Sequence, residues 1–588
     1  MKLLLTTLNA KFIHTNLAIR YLRNSINDSD IKIELVEFTI NHSQEYIIKE
    51  IYKLQPDIVG FSCYIWNIEM IHQISRLLKK IMPDITIIFG GPEVSFEVKP
   101  MMELNDAIDI IVMGEGEETF PKLIQSLKNN EDYSEIPSIA FRARGEAFIN
   151  DDCLPQIEMG RIPFPYGEEK IDQDKIVYYE SSRGCPFQCQ YCLSSSFQGV
   201  RFRPLEMVKK EIKYFIDHEV KQVKFIDRTF NAKKSYAMEI MQYILQHNRG
   251  KTNFHFEVTA DLIDDDMLEF LLTVPVGLFQ FEIGIQSTHE ETLHAIQRKM
   301  NFERLQKVVN KISRGKNIHQ HLDLIVGLPK EDYFTFRKSF NDVFLLKPEK
   351  LQIGFLKLLK GSGIRKDARK YGYIYDEYPP YEVLENEAIS YGDIIRLKGI
   401  EEMVEVYWNS RMFNSSVEVM VEGCYNTPFK FFENLWLYWE EKGYHHQAHG
   451  RNKLYEILLD FYQHHSFENI KAFKEILKFD YIKHNKTTTL PMFFQTTHNS
   501  IFKDKCHRFL QNTDNVHRYL PQYTDLPAKQ IIKKIHFEKF QYNVIEIENN
   551  PKTLRDAKEE TSIVLFDYKL DNKAIDYCKY FLLENIEF

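Results

Sequence analysis

Three cysteines crowd into one short stretch of this 588-residue chain, SSRGCPFQCQYCLSSS. Cys185, Cys189 and Cys192 are spaced C-x3-C-x2-C directly after the apolar run KIVYYES. Three thiolates this close repel one another unless a metal holds them. A structural zinc site wants four ligands, commonly two pairs, and no fourth Cys or His lies nearby in sequence. Three thiolates suit a four-iron four-sulfur (4Fe-4S) cluster with one iron left open. Zinc completed by a ligand from far along the chain is the alternative. Cys63, Cys153, Cys424, Cys506 and Cys578 stand singly and are expected to be small buried hydrophobes.

Composition narrows what can surround that loop. With 75 basic and 84 acidic residues the net charge is −9, so no general nucleic-acid-binding surface is expected. A hydrophobic fraction of 44% rules out wholesale disorder, and the length calls for roughly two to four domains. The opening run LLLTTL is too short for a signal-peptide core and reads as a buried strand. No run approaches the roughly 18 apolar residues of a membrane helix, so a cytoplasmic chain without membrane partners is expected. The first strand ends in TLNAKFIHTN, without the glycines of a dinucleotide loop, and no Gly-Lys-Ser/Thr appears. A later loop, GEGEET, has two glycines, but Glu115, Glu117 and Glu118 would repel a pyrophosphate.

The elements that must position the cysteines follow from the apolar pattern. KLLLTTL, IKIELVEF, DIVGFSCY, TIIFGG and DIIVMGEG read as strands separated by amphipathic helices. In NIEMIHQISRLLKKI, the residues Ile68, Ile71, Ile74, Leu77 and Leu78 fall on one face. This alternation predicts a doubly wound parallel sheet over 1–125 with ligands at its carboxyl edge. Residues 126–175 are polar and irregular and read as a linker, with IPSIAFR a candidate hairpin strand. From 176 the rhythm resumes with KIVYYES, VKFIDR, FHFEVTA, LFQFEIGIQ, HLDLIVGL and LQIGFLKL, most followed by helical patterns. Six such units predict a barrel, or an open part of one, with chemistry on the loops after its strands. Beyond 400 the pattern is mainly helical and aromatic-rich, ending in strand-like NVIEIE and SIVLFDY. His445, His446 and His449 lack a Cys or carboxylate that would complete a metal site, so a solvated or substrate-facing surface is expected there.

The cysteine loop closely resembles the motif of the radical S-adenosylmethionine (SAM) superfamily, including the aromatic Tyr191 before the last cysteine. The resemblance implies a 4Fe-4S cluster whose open iron chelates SAM, an electron that cleaves the sulfonium, and a radical that takes hydrogen from substrate. It also implies SAM contacts for Tyr191, Glu257 in FHFEVTADLI, Gln286 and Ser287 in FEIGIQS, Arg298 in HAIQRK and Asp323 in HLDLIVGLP. For each of the downstream four sites the alternative is a barrel salt bridge or a helix cap.

The amino-terminal sheet resembles the cobalamin-binding domains that precede such barrels. That likeness implies cobalamin contacts at Ser62 and Trp66 in GFSCYIWN, at Gly90, Gly91 and Glu93 in IIFGGPE, and at Gly114, Glu115 and Gly116 in MGEGEET. Asp-x-His-x-x-Gly is missing, so no protein histidine is expected on the cobalt, and His14 is expected to cap or pack. The segment from ENEAISYGDIIRLKGI resembles the uncharacterised carboxyl-terminal domain of one branch of these proteins. Together these imply an α/β chain in four parts. They are a cobalamin-binding-like domain (1–125), a linker (126–175), a partial (β/α)6 radical SAM barrel (176–375) and a mainly helical domain (376–588). The implied enzyme is a cobalamin-dependent methyltransferase acting on an unactivated centre of a small-molecule or peptide substrate, with flavodoxin or ferredoxin as electron donor. A methylthiotransferase, cyclase or rearrangement enzyme is the alternative within the superfamily. A non-catalytic iron–sulfur electron-transfer or sensor protein is the alternative outside it.

Overall fold

In the computed structural model the chain is described at all residues except 151–155, 168–170, 197–198, 485, 487–489, 495–499, 570–577 and 584–588. Cys153 lies outside the described residues. The first sheet contains β1 (Lys2–Asn9), β2 (Lys32–Thr39), β3 (Ile58–Ser62), β4 (Thr86–Gly90), β5 (Ile110–Val112), β6 (Ile139–Ala143) and β7 (Glu146–Asn150), in the order β2-β1-β3-β4-β5-β6-β7. The first five strands are parallel. Their near-continuous apolar runs have a simple cause, since both faces are covered. Leu4, Val59, Phe61 and Phe89 enter one core, while Leu3, Leu5, Ile58 and Ile88 enter the other. The helices are α1 (Leu17–Ser25), α2 (Gln44–Leu54), α3 (Ile68–Ile81), α4 (Val98–Leu104) and α5 (Gly116–Asn129). Strand β1 pairs with both β2 and β3, which makes its carboxyl end the topological switch point where ligands of such sheets lie.

The sheet runs into the stretch that read as a linker, and the candidate hairpin strand IPSIAFR contributes β6. Strands β6 and β7 form a hairpin added antiparallel to β5, inside the stretch that read as a linker. The edge strand β7 is largely exposed, which is why its sequence looks polar. On α3 the buried face is Ile68, Ile71, His72, Ile74, Ser75 and Leu78, with Leu77 turned to solvent.

The second sheet is six-stranded and wholly parallel. It contains β8 (Val177–Tyr179), β11 (Gln222–Phe225), β12 (Asn253–Glu257), β13 (Phe279–Gln286), β14 (His319–Val326) and β15 (Lys350–Phe355). Its first and last strands do not pair, so the barrel is open. The short strands β9 (Ser182–Gly184) and β10 (Val200–Phe202) form a separate antiparallel pair. The barrel helices are α6 (Leu205–Asp217), α7 (Lys234–His247), α8 (Asp265–Leu272), α9 (Glu290–Ala295), α10 (Phe302–Gly315) and α11 (Tyr333–Phe344). Along β13, Phe279, Phe281, Ile283 and Ile285 are buried in the core beneath the helices, and Gln280, Glu282, Gly284 and Gln286 alternate with them on the inner face. Strand β14 repeats this, with His319, His321 and Asp323 inside.

The carboxyl-terminal part is mainly helical, with a small antiparallel sheet of Ile535–Phe540, Ser562–Asp567 and Lys579–Leu582. Its aromatic side chains form a core continuous with the barrel: Phe344 meets Trp408 at 4.6 Å and Phe340 meets Phe429 at 5.4 Å. NVIEIE, which alternates like a strand, is a helix over Val544–Asn549. Asn543 caps it by accepting from the Glu546 N–H at 3.2 Å, and Val544 and Ile547 share the buried face. No helix among the described residues is long and apolar enough to cross a membrane.

One buried ion pair anchors α6 beside the carboxyl end of β8. Arg203 and Glu211, with side chains 1% and 6% exposed, bond at 2.6 and 2.8 Å, and Tyr179 donates its hydroxyl to Glu211 at 2.6 Å. Glu211→Ala strands the guanidinium and should cost about 3–5 kcal/mol, read as a lowered urea midpoint. A loss below about 1 kcal/mol would show that water reaches Arg203.

Candidate functional site

The cysteine loop is pinched at its base. Gly184 and Val200 face one another across β9 and β10, and the cysteines occupy the loop between them. Gly184 has φ +95°, and a Cβ there would lie 2.1 Å from the Gly199 carbonyl oxygen, so only glycine closes the stem. Asp227, buried after β11, secures this stem by accepting from the Ser181 N–H, the Ser181 hydroxyl and the Ser182 hydroxyl at 3.0, 2.6 and 2.5 Å. The loop itself docks on the barrel mouth. The Gln190 N–H donates to the Ile296 carbonyl at 3.0 Å, and the Ile364 N–H to the Gln190 carbonyl at 2.8 Å.

All three thiols are free, and burial pushes the Cys185 thiol up. Among the described residues no three His, Cys, Asp or Glu side chains converge on the position of a single metal ion.

Arg298 brings the site together. It donates to the Tyr191 hydroxyl at 3.2 Å and to Cys189 Sγ at 3.8 Å, and it also bonds the Gly284 carbonyl. Its Nε is buried without a partner. Gln286 sits at a bulge with φ +74°, and its Oε1 is likewise buried and unpartnered. A Cβ on Gly284 would meet Gln286 Nε2 at 2.4 Å and Arg298 Nη2 at 3.6 Å, so the glycine is what lets both side chains fold across the strand. Glu257 ends β12, where burial raises its carboxyl and the nearby Arg228 partly offsets this. Asp323 pairs in register with Gly284; burial and the Glu282 and Glu257 carboxylates push it up to about 8, and its Oδ1 has no partner. Ser287 is not part of this group. Its hydroxyl donates to Glu331 at 2.6 Å, in a buried network with Ser339.

Sequence reasoning missed the lower inner face. Lys224 bonds Glu282 at 2.9 Å, His255 lies 3.1 Å from the same carboxylate, and Gln280 meets His321 at 2.9 Å. Burial lowers His255, though Glu282 partly offsets this, and takes His319 to about 3 and His321 to about 2, so the latter two imidazoles are neutral at pH 7. The strict alternation in FQFEIGIQ and HQHLDLIV carried this signal, since strands of a filled parallel barrel would be apolar on both faces.

The first sheet turns its carboxyl edge toward the barrel. After β1, the Ile176 N–H donates to the Ile13 carbonyl at 2.7 Å, and His14 Nδ1 meets the Tyr178 hydroxyl at 2.7 Å. After β4, Glu93 pairs with Lys360 at 2.9 Å and accepts from the Tyr381 hydroxyl. After β5, Glu115 and Glu117 pair with Arg201 and Arg183 of the cysteine stem. Glu93 and Glu115 are thus spent on domain contacts. Gly91 has φ +110°, and a Cβ there would meet the Cys63 carbonyl oxygen at 2.6 Å, so its own backbone explains it. Gly90 and Gly114 have room, whereas at Gly116 a Cβ would meet Leu22 at 3.0 Å. Ser62 is buried, and its carbonyl accepts from Thr7 and Asn67, each at 3.1 Å. Trp66 stacks on Tyr64 at 4.4 Å, donates to the Leu8 carbonyl at 3.0 Å and remains 44% exposed. Phe12 and Ile13, in the loop after β1, are also exposed apolar side chains at this edge of the sheet.

Comparison with known proteins accounts for this layout. Residues 3–124 match the B12 binding domain, residues 179–343 the Radical SAM superfamily, and residues 369–566 a "Protein of unknown function (DUF4080)". The chain is 24% identical over 437 residues to "Cobalamin-dependent radical SAM methyltransferase TokK" of Streptomyces tokunonensis, covering 70% of this chain and 62% of that one. It is 25% identical over 407 residues to "2-(S-pantetheinyl)-carbapenam-3-carboxylate methyltransferase" of Streptantibioticus cattleyicolor, covering 63% and 57%. The matches thus span less than two thirds of these relatives' own length. Among solved structures, the cobalamin-dependent SAM radical enzyme OxsB, with aqua-cobalamin and SAM bound, aligns with a TM-score of 0.55 at 16% identity, over 82% of this chain and 78% of that one. The radical SAM segment implies a 4Fe-4S cluster and SAM, and the B12-binding segment implies cobalamin. The three free thiols, the unspent Arg298 Nε and Gln286 Oε1, and the exposed Trp66 after β3 fit those groups.

Asp323 generates a pH test on the cofactor-free protein. Its folded pKa of about 8 lies above the roughly 3.9 of an unfolded Asp, so the folded state holds the extra proton between those values. Stability therefore falls as pH rises from 4 to 8 and levels above. Asp323→Asn should melt with wild type near pH 4 and several degrees higher at pH 8. A melting difference independent of pH would mean that the carboxyl is not held protonated.

Proposed function

We propose that this chain, which joins B12-binding, radical SAM and DUF4080 segments, is a cobalamin-dependent radical SAM methyltransferase. Its substrate is a small molecule or peptide methylated at an unactivated centre. The observation that carries this reading is the confrontation of two carboxyl edges. The loops after β4 and β5 of the sheet domain pair with Lys360 and with Arg201 and Arg183 of the cysteine stem, and Trp66 stands exposed after β3 of the same sheet. Methyl delivery to a substrate radical needs such proximity.

When bound, the reduced cluster supplies the electron that cleaves SAM, and cobalamin carries the methyl group. The chain's own residues supply position and dryness. Arg298, its guanidinium aligned by Tyr191 and the Gly284 carbonyl, presents a planar donor to the SAM carboxylate. Gln286 offers an acceptor beside it. Asp323, protonated at neutral pH, holds its proton inside the barrel, so the inner face near SAM carries one negative charge fewer. The neutral imidazoles of His319 and His321 line the lower inner face without adding charge. An electron carrier of the flavodoxin or ferredoxin type would reduce the cluster, in a cytoplasmic setting that keeps the thiols reduced.

The test is anaerobic reconstitution with iron, sulfide and cobalamin. Cys185→Ala should lose the iron–sulfur absorbance and SAM cleavage together, and Cys63→Ala neither. Arg298→Ala should keep its iron and bind SAM about 10- to 100-fold more weakly, the worth of a charge-assisted contact of roughly 1.5–3 kcal/mol. Unchanged SAM affinity would return Arg298 to a structural role, and failure of the wild-type protein to take up cobalamin would overturn the methyltransferase reading.

A further inference from the structure

Arg183 and Arg201 face each other across the stem that closes the cysteine loop. Both reach out of the barrel domain to the same turn of the sheet domain. Arg183 pairs with Glu117, lies 3.7 Å from Glu115, and bonds Glu180 of its own domain at 2.8 Å. Arg201 makes two bonds to Glu115, one of them at 3.1 Å. The Glu115 carboxylate also accepts from the Ile157 N–H at 3.1 Å, and Arg161 meets Glu118 at 2.8 Å. The guanidinium of Arg183 lies 5.7 Å from the Tyr21 ring of α1, which closes the pocket from the sheet side.

These are not loose surface pairs. The Arg183 and Glu117 side chains are 14% and 7% exposed, and those of Arg201 and Glu115 are 25% and 27% exposed. Arg183 is surrounded by three carboxylates, and without it they would face one another. Glu115 and Glu117 sit at the start of α5, where the helix dipole also favours negative charge. The GEGEET turn is acidic because it answers two arginines, and those arginines flank the loop of Cys185, Cys189 and Cys192.

We infer that Arg183 and Arg201, with Glu115 and Glu117, form a clamp that sets the cysteine loop in register with the sheet domain. They are positioning residues. This inference rests on the proposed function only in what it is for: the clamp holds the two cofactor sites at one separation. The same geometry makes the clamp detectable without either cofactor.

The test is charge reversal at the more accessible pair, in the full chain. Arg201→Glu should increase amide hydrogen exchange at least several-fold both in the stem Ser182–Phe202 and in the first turn of α5, and Glu115→Arg should do the same. The double exchange, Arg201→Glu with Glu115→Arg, should recover part of the protection at both places, since it restores the attraction between positions 201 and 115 but not the Glu115 contacts with Arg183 and the Ile157 N–H. A second measurement uses the reconstituted protein: the dipolar coupling between reduced cluster and cob(II)alamin should broaden in each single variant and sharpen in the double one. Arg183→Lys, which keeps the charge but loses the fork, should broaden it less than Arg183→Gln. Unchanged exchange in the single variants, or a double variant no better than either, would overturn the clamp. Failure of wild-type protein to bind cobalamin would overturn the methyltransferase reading and leave the exchange result standing.

Discussion

Ionisable side chains on the inner face of an open parallel barrel set the central constraint on this protein. Burial penalises every charge placed there, and the structure answers in two ways. Glu282 stays ionised, held at about 2 by His255 and Lys224, whereas Asp323 keeps its proton and His319 and His321 go without theirs. The result is an interior with many hydrogen-bonding groups and few free charges.

That interior works only if its open mouth is covered. The sheet domain covers it with the loops after β1, β4 and β5, each tied to the barrel by named contacts. The loop after β3 lies between the others in sheet order and keeps Trp66 exposed. The carboxyl-terminal domain closes the far edge, where Asn409 brackets Leu351 of β15 by bonds of 2.9 and 2.8 Å. Its aromatic core merges with that of the barrel, so the segment behaves as a third wall joined to the scaffold.

Much of this was legible in the chain because its determinants are local. The cysteine spacing lies in one loop, and the strand and helix periods give the order of layers. The family likeness named Arg298 and Gln286, whose side chains converge over Gly284, and Asp323, which lies in register beside that glycine. What was not legible depends on partners far apart. Glu93 and Glu115 read as cofactor contacts because Lys360, Tyr381, Arg183 and Arg201 are distant in sequence. Gly91 read as space for a corrinoid, whereas the Cys63 backbone occupies that space. Ser287 read with its neighbour Gln286, but the positive φ at Gln286 parts the two side chains and sends Ser287 to Glu331. NVIEIE showed a two-residue period, and the Asn543 cap decided for helix.

The central claim is that the three thiols hold a cluster whose open iron takes SAM beside Arg298. Electron spin-echo spectroscopy of the reduced, reconstituted protein addresses it directly, using SAM isotopically labelled in its carboxylate and amino groups. The account predicts hyperfine coupling from both labels to the cluster, at the strength of direct coordination. SAM that binds tightly while neither label couples to the cluster would contradict it.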